Sequence, residues 1–211
     1  MKRVIFTIAT ALLVSLYSAL PAAAAGFGLV ATTGNNTIDW TSDWVVNSFS
    51  TDAEHSGFGI VFDTNVAKER MFNYRFEFTK AEATFKNFTA AGLAMEVDGF
   101  AMNHTFGFGT QLSPMLRFWV GPEIRMTWMD GALTNDPQAD LDVFGFGVGA
   151  AIGLNINFPG QLTLALKGGY SLMNYVGEGD SPVTHNWTDY DGDEDHAYVT
   201  FALIIRSLGD R

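Results

Sequence analysis

One stretch constrains the fold more than any other. From Val143 to Phe158 the chain reads Val-Phe-Gly-Phe-Gly-Val-Gly-Ala-Ala-Ile-Gly-Leu-Asn-Ile-Asn-Phe. In a strand, successive side chains point to opposite faces. One face here carries Phe144, Phe146, Val148, Ile152, Leu154, Ile156 and Phe158; the other carries Gly145, Gly147, Gly149, Gly153, Asn155 and Asn157. A half-buried strand of a soluble sheet would show charged residues or threonine on its solvent face. Glycine on one side and bulky apolar residues on the other describe a cramped interior and an oily exterior, the pattern of a strand in a transmembrane barrel.

Seven further segments alternate in the same sense. They run over Gly26–Thr33, Gly57–Thr64, Phe72–Thr79, Asp98–Gln111, Leu116–Met129, Gln161–Val176 and His196–Ser207. The clearest is the third, where Phe72, Tyr74, Phe76 and Phe78 alternate with Asn73, Arg75, Glu77 and Thr79. Pro122 falls inside the fifth, and because proline removes a ladder donor, a local distortion is expected there. Pro159-Gly160 reads as a two-residue hairpin turn. The connections alternate between long and short. Long polar loops are expected over Gly34–Glu54, Asp130–Asp140 and Gly177–Asp195, with Lys80–Glu96 ambiguous. An even number of strands with short turns at one end and long loops at the other is the organisation of an outer-membrane barrel. The expected fold class is therefore all-β: an eight-stranded antiparallel up-and-down transmembrane barrel.

The first residues give the address. Met1-Lys2-Arg3 is a basic start, Val4 to Leu20 an apolar run, and Ala22-Ala23-Ala24-Ala25 a small-residue cleavage site, together a secretory signal. Residues 1–25 are thus read as a cleaved signal peptide and 26–211 as one barrel domain. Removal of Lys2 and Arg3 leaves 10 of the 12 basic side chains against 23 acidic ones, a formal charge of −13. That excess argues against nucleic acid or anionic lipid as a partner. With no cysteine, an exported chain has no disulfide framework, and stability must come from hydrogen-bond closure of the sheet.

On strand number, face composition and loop alternation, the chain resembles the small eight-stranded outer-membrane barrels, the OmpA/OmpX-like and opacity-protein-like porin family. The resemblance is one of pattern over nearly the whole mature chain. Many members end in an aromatic residue, whereas here Phe201-x-Leu203-x-Ile205 is followed by Ser207-Leu208-Gly209-Asp210-Arg211. The resemblance implies residence in the outer membrane of a Gram-negative-type bacterium. It also implies contact with membrane lipid and lipopolysaccharide, a surface ligand met through external loops, and a monomer.

An eight-stranded barrel has an interior just wide enough to be filled by side chains, and buried charge is tolerable only when paired. Arg75, Glu77, Glu123, Arg125 and Lys167 all fall on the inward set. They are expected to form a lumen charge network, given room by the glycines of Val143–Phe158, and to leave no open pore. Asp63, Arg117 and Arg206 share that phase, the two arginines lying near turns. Trp40, Trp44, Trp187 and Tyr190 are expected in the external loops or the aromatic girdle, where amphipathic rings favour the interface.

Candidate chemistry is sparse. A hydrolytic barrel needs a nucleophile beside a histidine oriented by an acid. The residues two positions after the four histidines are Gly57, Phe106, Trp187 and Tyr198, so the His-x-Ser arrangement of lipid A deacylases is missing, and His104 falls in the lipid-facing phase. The acidic run Asp189-Tyr190-Asp191-Gly192-Asp193-Glu194-Asp195 could wrap Ca²⁺ through Asp189, Asp191, Asp193 and Asp195, yet it lacks Gly at the sixth and Glu at the twelfth position of an EF-hand loop. A solvated acidic loop is the plainer reading, and no catalytic residue or cofactor is expected. The functional expectation is a structural, surface-exposed barrel. The alternatives are a lipid-modifying barrel enzyme, a small-solute pore, or a soluble ligand-binding barrel, the last requiring the opposite face pattern in Val143–Phe158.

Overall fold

The computed structural model describes residues 25–42, 45–67, 71–88, 93–134, 136–180 and 187–207. The expected signal peptide, apart from Ala25, lies outside them. Eight strands follow in order: β1 (Gly26–Ser42), β2 (Val45–Asp63), β3 (Phe72–Lys86), β4 (Met95–Ser113), β5 (Leu116–Leu133), β6 (Asp136–Asn157), β7 (Leu162–Asp180) and β8 (Trp187–Arg206). Each pairs antiparallel with its neighbours in sequence, and β1 pairs with β8, so the sheet closes. Closure satisfies the ladder groups between strands, which a hydrocarbon surround demands.

The two faces of β6 are as the sequence divides them: Phe146, Val148 and Ile152 are exposed outward while Gly145, Gly147, Gly153 and Asn155 are buried. The same holds around the ring. Leu29 on β1, Phe58 on β2, Phe108 on β4, Leu172 on β7 and Phe201 on β8 are all exposed. These residues form an apolar belt, capped where it ends by Phe100, Trp128 and Phe144.

The strands are longer than the apolar alternation, and the long loops expected from sequence are largely strand. β1 and β2 pair continuously through Trp40↔Phe49, and β7 and β8 through Asp180↔Trp187. The reason is a change of phase preference along one unbroken ladder. Beyond the belt the outward positions become polar (Asp39, Glu54, Glu82, Asp98, Asp142, Asp193), and the inward positions become apolar (Ile38, Trp40, Phe85, Val97, Val143, Met173). The upper half of the barrel obeys the rule of a soluble sheet, apolar in and polar out. The lower half obeys the rule of a membrane barrel.

Pro122 gives the expected local distortion without a bulge: β4 and β5 keep one register from Thr105↔Glu123 to Phe108↔Val120, and the rungs between, at Pro122 and Gly121, are missing. The two-residue turn expected after β6 is corrected. The connection after β6 spans residues 158–161, with Gly160 at φ 90°, a backbone region that glycine alone enters at little cost. Phe158 N–H donates to the Leu162 carbonyl at 3.0 Å to close it.

Candidate functional site

The lumen is the candidate site, and it is filled in three layers. At the end carrying the short turns, the connection after β2 folds inward. Val66 is fully buried and packs with Val30, Val61, Ala165, Ala202 and Ile204. Asn155 on β6 donates to the Val66 carbonyl at 2.8 Å and accepts from Trp119 Nε1 at 3.4 Å. A polar side chain opposite a turn thus fixes the turn as a plug.

The middle layer is ionic. Arg75 Nε donates to Glu77 Oε1 at 2.8 Å, and Lys167 Nζ reaches Glu77 Oε2 at 2.5 Å and Glu123 Oε2 at 3.0 Å. Glu123 also accepts from Thr105 Oγ1 at 2.9 Å and from the Tyr198 hydroxyl, while Asn103 donates to Glu77 at 3.3 Å. Arg125 lies with its guanidinium carbon 4.9 Å from the Tyr198 ring centroid, and Lys167 Nζ lies 5.0 Å from it. The structure therefore brings Arg75, Glu77, Glu123 and Lys167 into one hydrogen-bonded set and holds Arg125 against it through an aromatic face. Asp63 stands 4.0 Å from Arg75. Arg117 is fully buried and donates to Asn73 at 3.3 Å. Arg206 leaves the lumen and donates to the carbonyls of Phe158 and Gly160, both at 2.6 Å, tying down the turn after β6.

The glycines of β6 have a different use from the one expected. A Cβ on Gly153 would stand 2.2 Å from the Trp119 ring, one on Gly145 2.5 Å from Tyr175, and one on Gly147 2.3 Å from Met173. They make room for the rings and the thioether of the flanking strands, not for the charges.

The upper layer is aromatic. Trp40 is 0% exposed, stacks edge-on to Phe85 and Phe88, and donates from Nε1 to Thr51 Oγ1 at 3.0 Å. It and Tyr190 face the lumen, so the girdle expected of them is corrected; the inverted alternation beyond the belt points both rings inward. Trp44 lies outside the described residues, and Trp187 begins β8. His104 stays on the outer face, where Nδ1 is 2.7 Å from the Tyr74 hydroxyl and the ring packs on Phe76.

Asp189, Asp191, Asp193 and Asp195 do not form a loop. They occupy alternate positions of β8 on its exposed outer face, a row and not a wrap. Between them, pointing the other way, Glu194 and His196 enter the lumen and meet His55 from β2. His55 Nε2 lies 2.8 Å and His196 Nδ1 3.0 Å from the same oxygen, Glu194 Oε1. Sequence reading missed this group, although its signal was present: two titratable residues at i and i+2 in the inward phase of β8. Ser171, cross-strand from His196, has a buried hydroxyl without a hydrogen-bond partner among the described residues. No nucleophile–base pair is formed there.

A closed sheet, an apolar outer belt and a side-chain-filled lumen give the fold of a small eight-stranded barrel of the outer-membrane type. One solved structure agrees in fold. The crystal structure of the outer membrane protein OprG from Pseudomonas aeruginosa matches 87% of this chain and 96% of its own, with a TM-score of 0.65 and 13% sequence identity. Neisserial surface protein A aligns over 83% of this chain and 97% of its own at 12% identity, but with a TM-score of 0.34 it carries no argument. No protein-family model matches the sequence, and no curated protein matches it.

Proposed function

We propose that this protein is a non-catalytic, closed barrel of the outer membrane of a Gram-negative-type bacterium. It sits as a monomer among lipid and lipopolysaccharide and presents the polar rims of its strands to a surface ligand. The observation that carries this reading is the stack within the lumen: a turn plug, an ionic layer and an aromatic cap in series on one axis. A barrel built to conduct would keep one polar path, whereas here Lys167 and Glu123 meet in the middle and Trp40 stands above them. The acidic outer rim favours cationic or metal-bridged partners over nucleic acid. Reconstitution in planar bilayers tests the closed state. The expected outcome is no stable step conductance from protein whose folding is shown by heat-modifiable gel migration. Stable large-conductance steps would overturn it and leave the small-solute pore in its place. An unchanged lipid A mass on expression is the outcome expected of a barrel without lipid-modifying activity.

A further inference from the structure

We propose that His55, Glu194 and His196 form a binding site for one divalent first-row transition ion of the Zn²⁺ type, set inside the barrel at its closing seam. The offered ligand atoms of the three residues all lie within 4.8 Å of one another. Two imidazoles and a carboxylate are a donor set that suits such an ion, with about 2.0–2.2 Å from metal to each nitrogen or oxygen and one position left open. In that geometry ligand atoms stand about 3.3 Å apart, so the 2.8 and 3.0 Å separations at Glu194 Oε1 need only open slightly around an ion.

The hydrogen bonding within the cluster points to the same occupant. His196 Nδ1 lies between a donor and an acceptor: Asn36 Nδ2 at 3.1 Å and Glu194 Oε1 at 3.0 Å. The Asn36 amide cannot turn over to relieve this, because its Oδ1 accepts the Ala197 N–H at 2.7 Å. One ring nitrogen cannot serve both neighbours in a single tautomer. The other nitrogen, Nε2, has no hydrogen-bond partner among the described residues, in a side chain only 1% exposed. His55 Nε2 lies 2.8 Å from Glu194 Oε1, at an angle poor for a hydrogen bond. Each ring thus turns one nitrogen without a well-directed hydrogen bond toward the cluster, and buried polar atoms left so are costly. A cation coordinated by nitrogen lone pairs and one carboxylate oxygen removes the conflict.

Supporting contacts of the kind that orient metal ligands are in place. The Tyr175 hydroxyl donates to Glu194 Oε2, leaving Oε1 for the ion, and Asn36 steers His196. Gly34 on β1 lies between the two sides of the site. Its register partner is His55, and a Cβ there would stand 3.3 Å from Asn36 Nδ2 and 2.5 Å from the Ala197 carbonyl. His55 keeps 11% exposure, and its inward neighbours Gly34, Asn36 and Gly57 are only partly buried, so the site keeps some access to solvent. An ion held here would clip β2 to β8 across β1, where the first and last strands meet.

The test uses the full mature barrel, refolded in detergent and stripped with a chelator. Co²⁺ is the optical probe and Zn²⁺ the calorimetric one. One Zn²⁺ per chain is expected, with visible Co²⁺ bands of low coordination number that Zn²⁺ abolishes and millimolar Ca²⁺ does not. Tyr175→Phe should weaken Zn²⁺ by roughly 10–100-fold, the usual loss of a supporting partner, and His55→Ala or Glu194→Gln by more. Asp189→Asn, Asp191→Asn, Asp193→Asn and Asp195→Asn together should change nothing. If the buried His196→Ala variant does not fold, the partly exposed His55→Ala decides the matter, with protection of wild-type histidines from diethyl pyrocarbonate by Zn²⁺ as a variant-free check. Folded wild-type protein that gives no Co²⁺ bands overturns the proposal. So does Zn²⁺ binding that survives His55→Ala, or that is lost only with the outer aspartates.

Discussion

Lys167 on β7 and Glu123 on β5 meet at 3.0 Å inside the barrel, with both side chains fully buried. In the strand between them, β6, Gly149 pairs with Glu123 and Gly153 with Lys167. The ammonium also holds Glu77, so one cation faces two carboxylates. Removing one member of a buried ionic set leaves uncompensated charge and costs about 3–5 kcal/mol, whereas an apolar replacement of the whole set is close to neutral. Lys167→Met should therefore lower stability by about that amount, measured by guanidinium unfolding in lipid vesicles. The double variant Lys167→Met, Glu123→Gln, which removes one charge of each sign and leaves Glu77 to Arg75, should recover most of the loss. A single variant as stable as wild type would mean the ionic layer is solvated.

Tyr198 serves this layer twice, through its hydroxyl on Glu123 and its ring beneath Arg125 and Lys167. The two roles separate by substitution. Tyr198→Phe keeps the ring and should cost about 1.5–3 kcal/mol, the worth of a hydrogen bond to a charged group. Tyr198→Leu should cost a further 0.5–2 kcal/mol or so from the lost cation–π contacts. Equal losses in the two variants would show that the ring faces contribute nothing.

Gly153 and Trp119 form one of the two tightest glycine–ring contacts among the described residues, with 2.2 Å between a Cβ at Gly153 and the buried indole. The indole is tied to Asn155 and cannot swing away without losing that bond. Overpacking of this kind costs typically about 1–3 kcal/mol, which is the expected loss for Gly153→Ala. In a double-mutant cycle with Trp119→Leu the two changes should couple by about 0.5–3 kcal/mol, since the smaller side chain vacates the contested space. Additive losses would place the clash elsewhere.

The lower half of the barrel was legible from sequence because one rule holds along it. Phe58, Phe76, Phe146 and Phe201 mark the outward face, so their neighbours Arg75, Glu77, Gly145 and Thr200 had to face inward. The upper half misled because the rule reverses there without a break in the ladder. Asp39 and Trp40, or Asp189 and Tyr190, look like loop residues to a reader expecting apolar side chains outside. In the structure they are ordinary strand neighbours, acid to water and ring to lumen. The same reversal concealed the cluster at Glu194: an alternating acidic run drew attention to its outward carboxylates, and the functional candidates lay in the residues between them. Distance across strands cannot be read from one strand, so His55 had no visible partner until the register of β1 with β2 and β8 was known.

Phe201 sits midway along the outward set of β8, between Ile205 near the turns and Ala197 below the acidic rim, and is 52% exposed. If this face lies in hydrocarbon, charge there is penalised by depth. A lipid-facing Arg or Lys costs about 2–4 kcal/mol at the bilayer midplane and about 0–1 kcal/mol near the interface. Phe201→Arg should therefore destabilise the barrel in lipid vesicles several-fold more than Ile205→Arg, although both positions are exposed in the isolated molecule. A soluble barrel would show no such gradient, because an arginine replacing an exposed apolar residue in water costs little at either position. Measuring the pair in bilayers of two thicknesses sharpens the result: the Ile205→Arg penalty should rise in the thicker bilayer as its position sinks from the interface, while Phe201→Arg stays high in both.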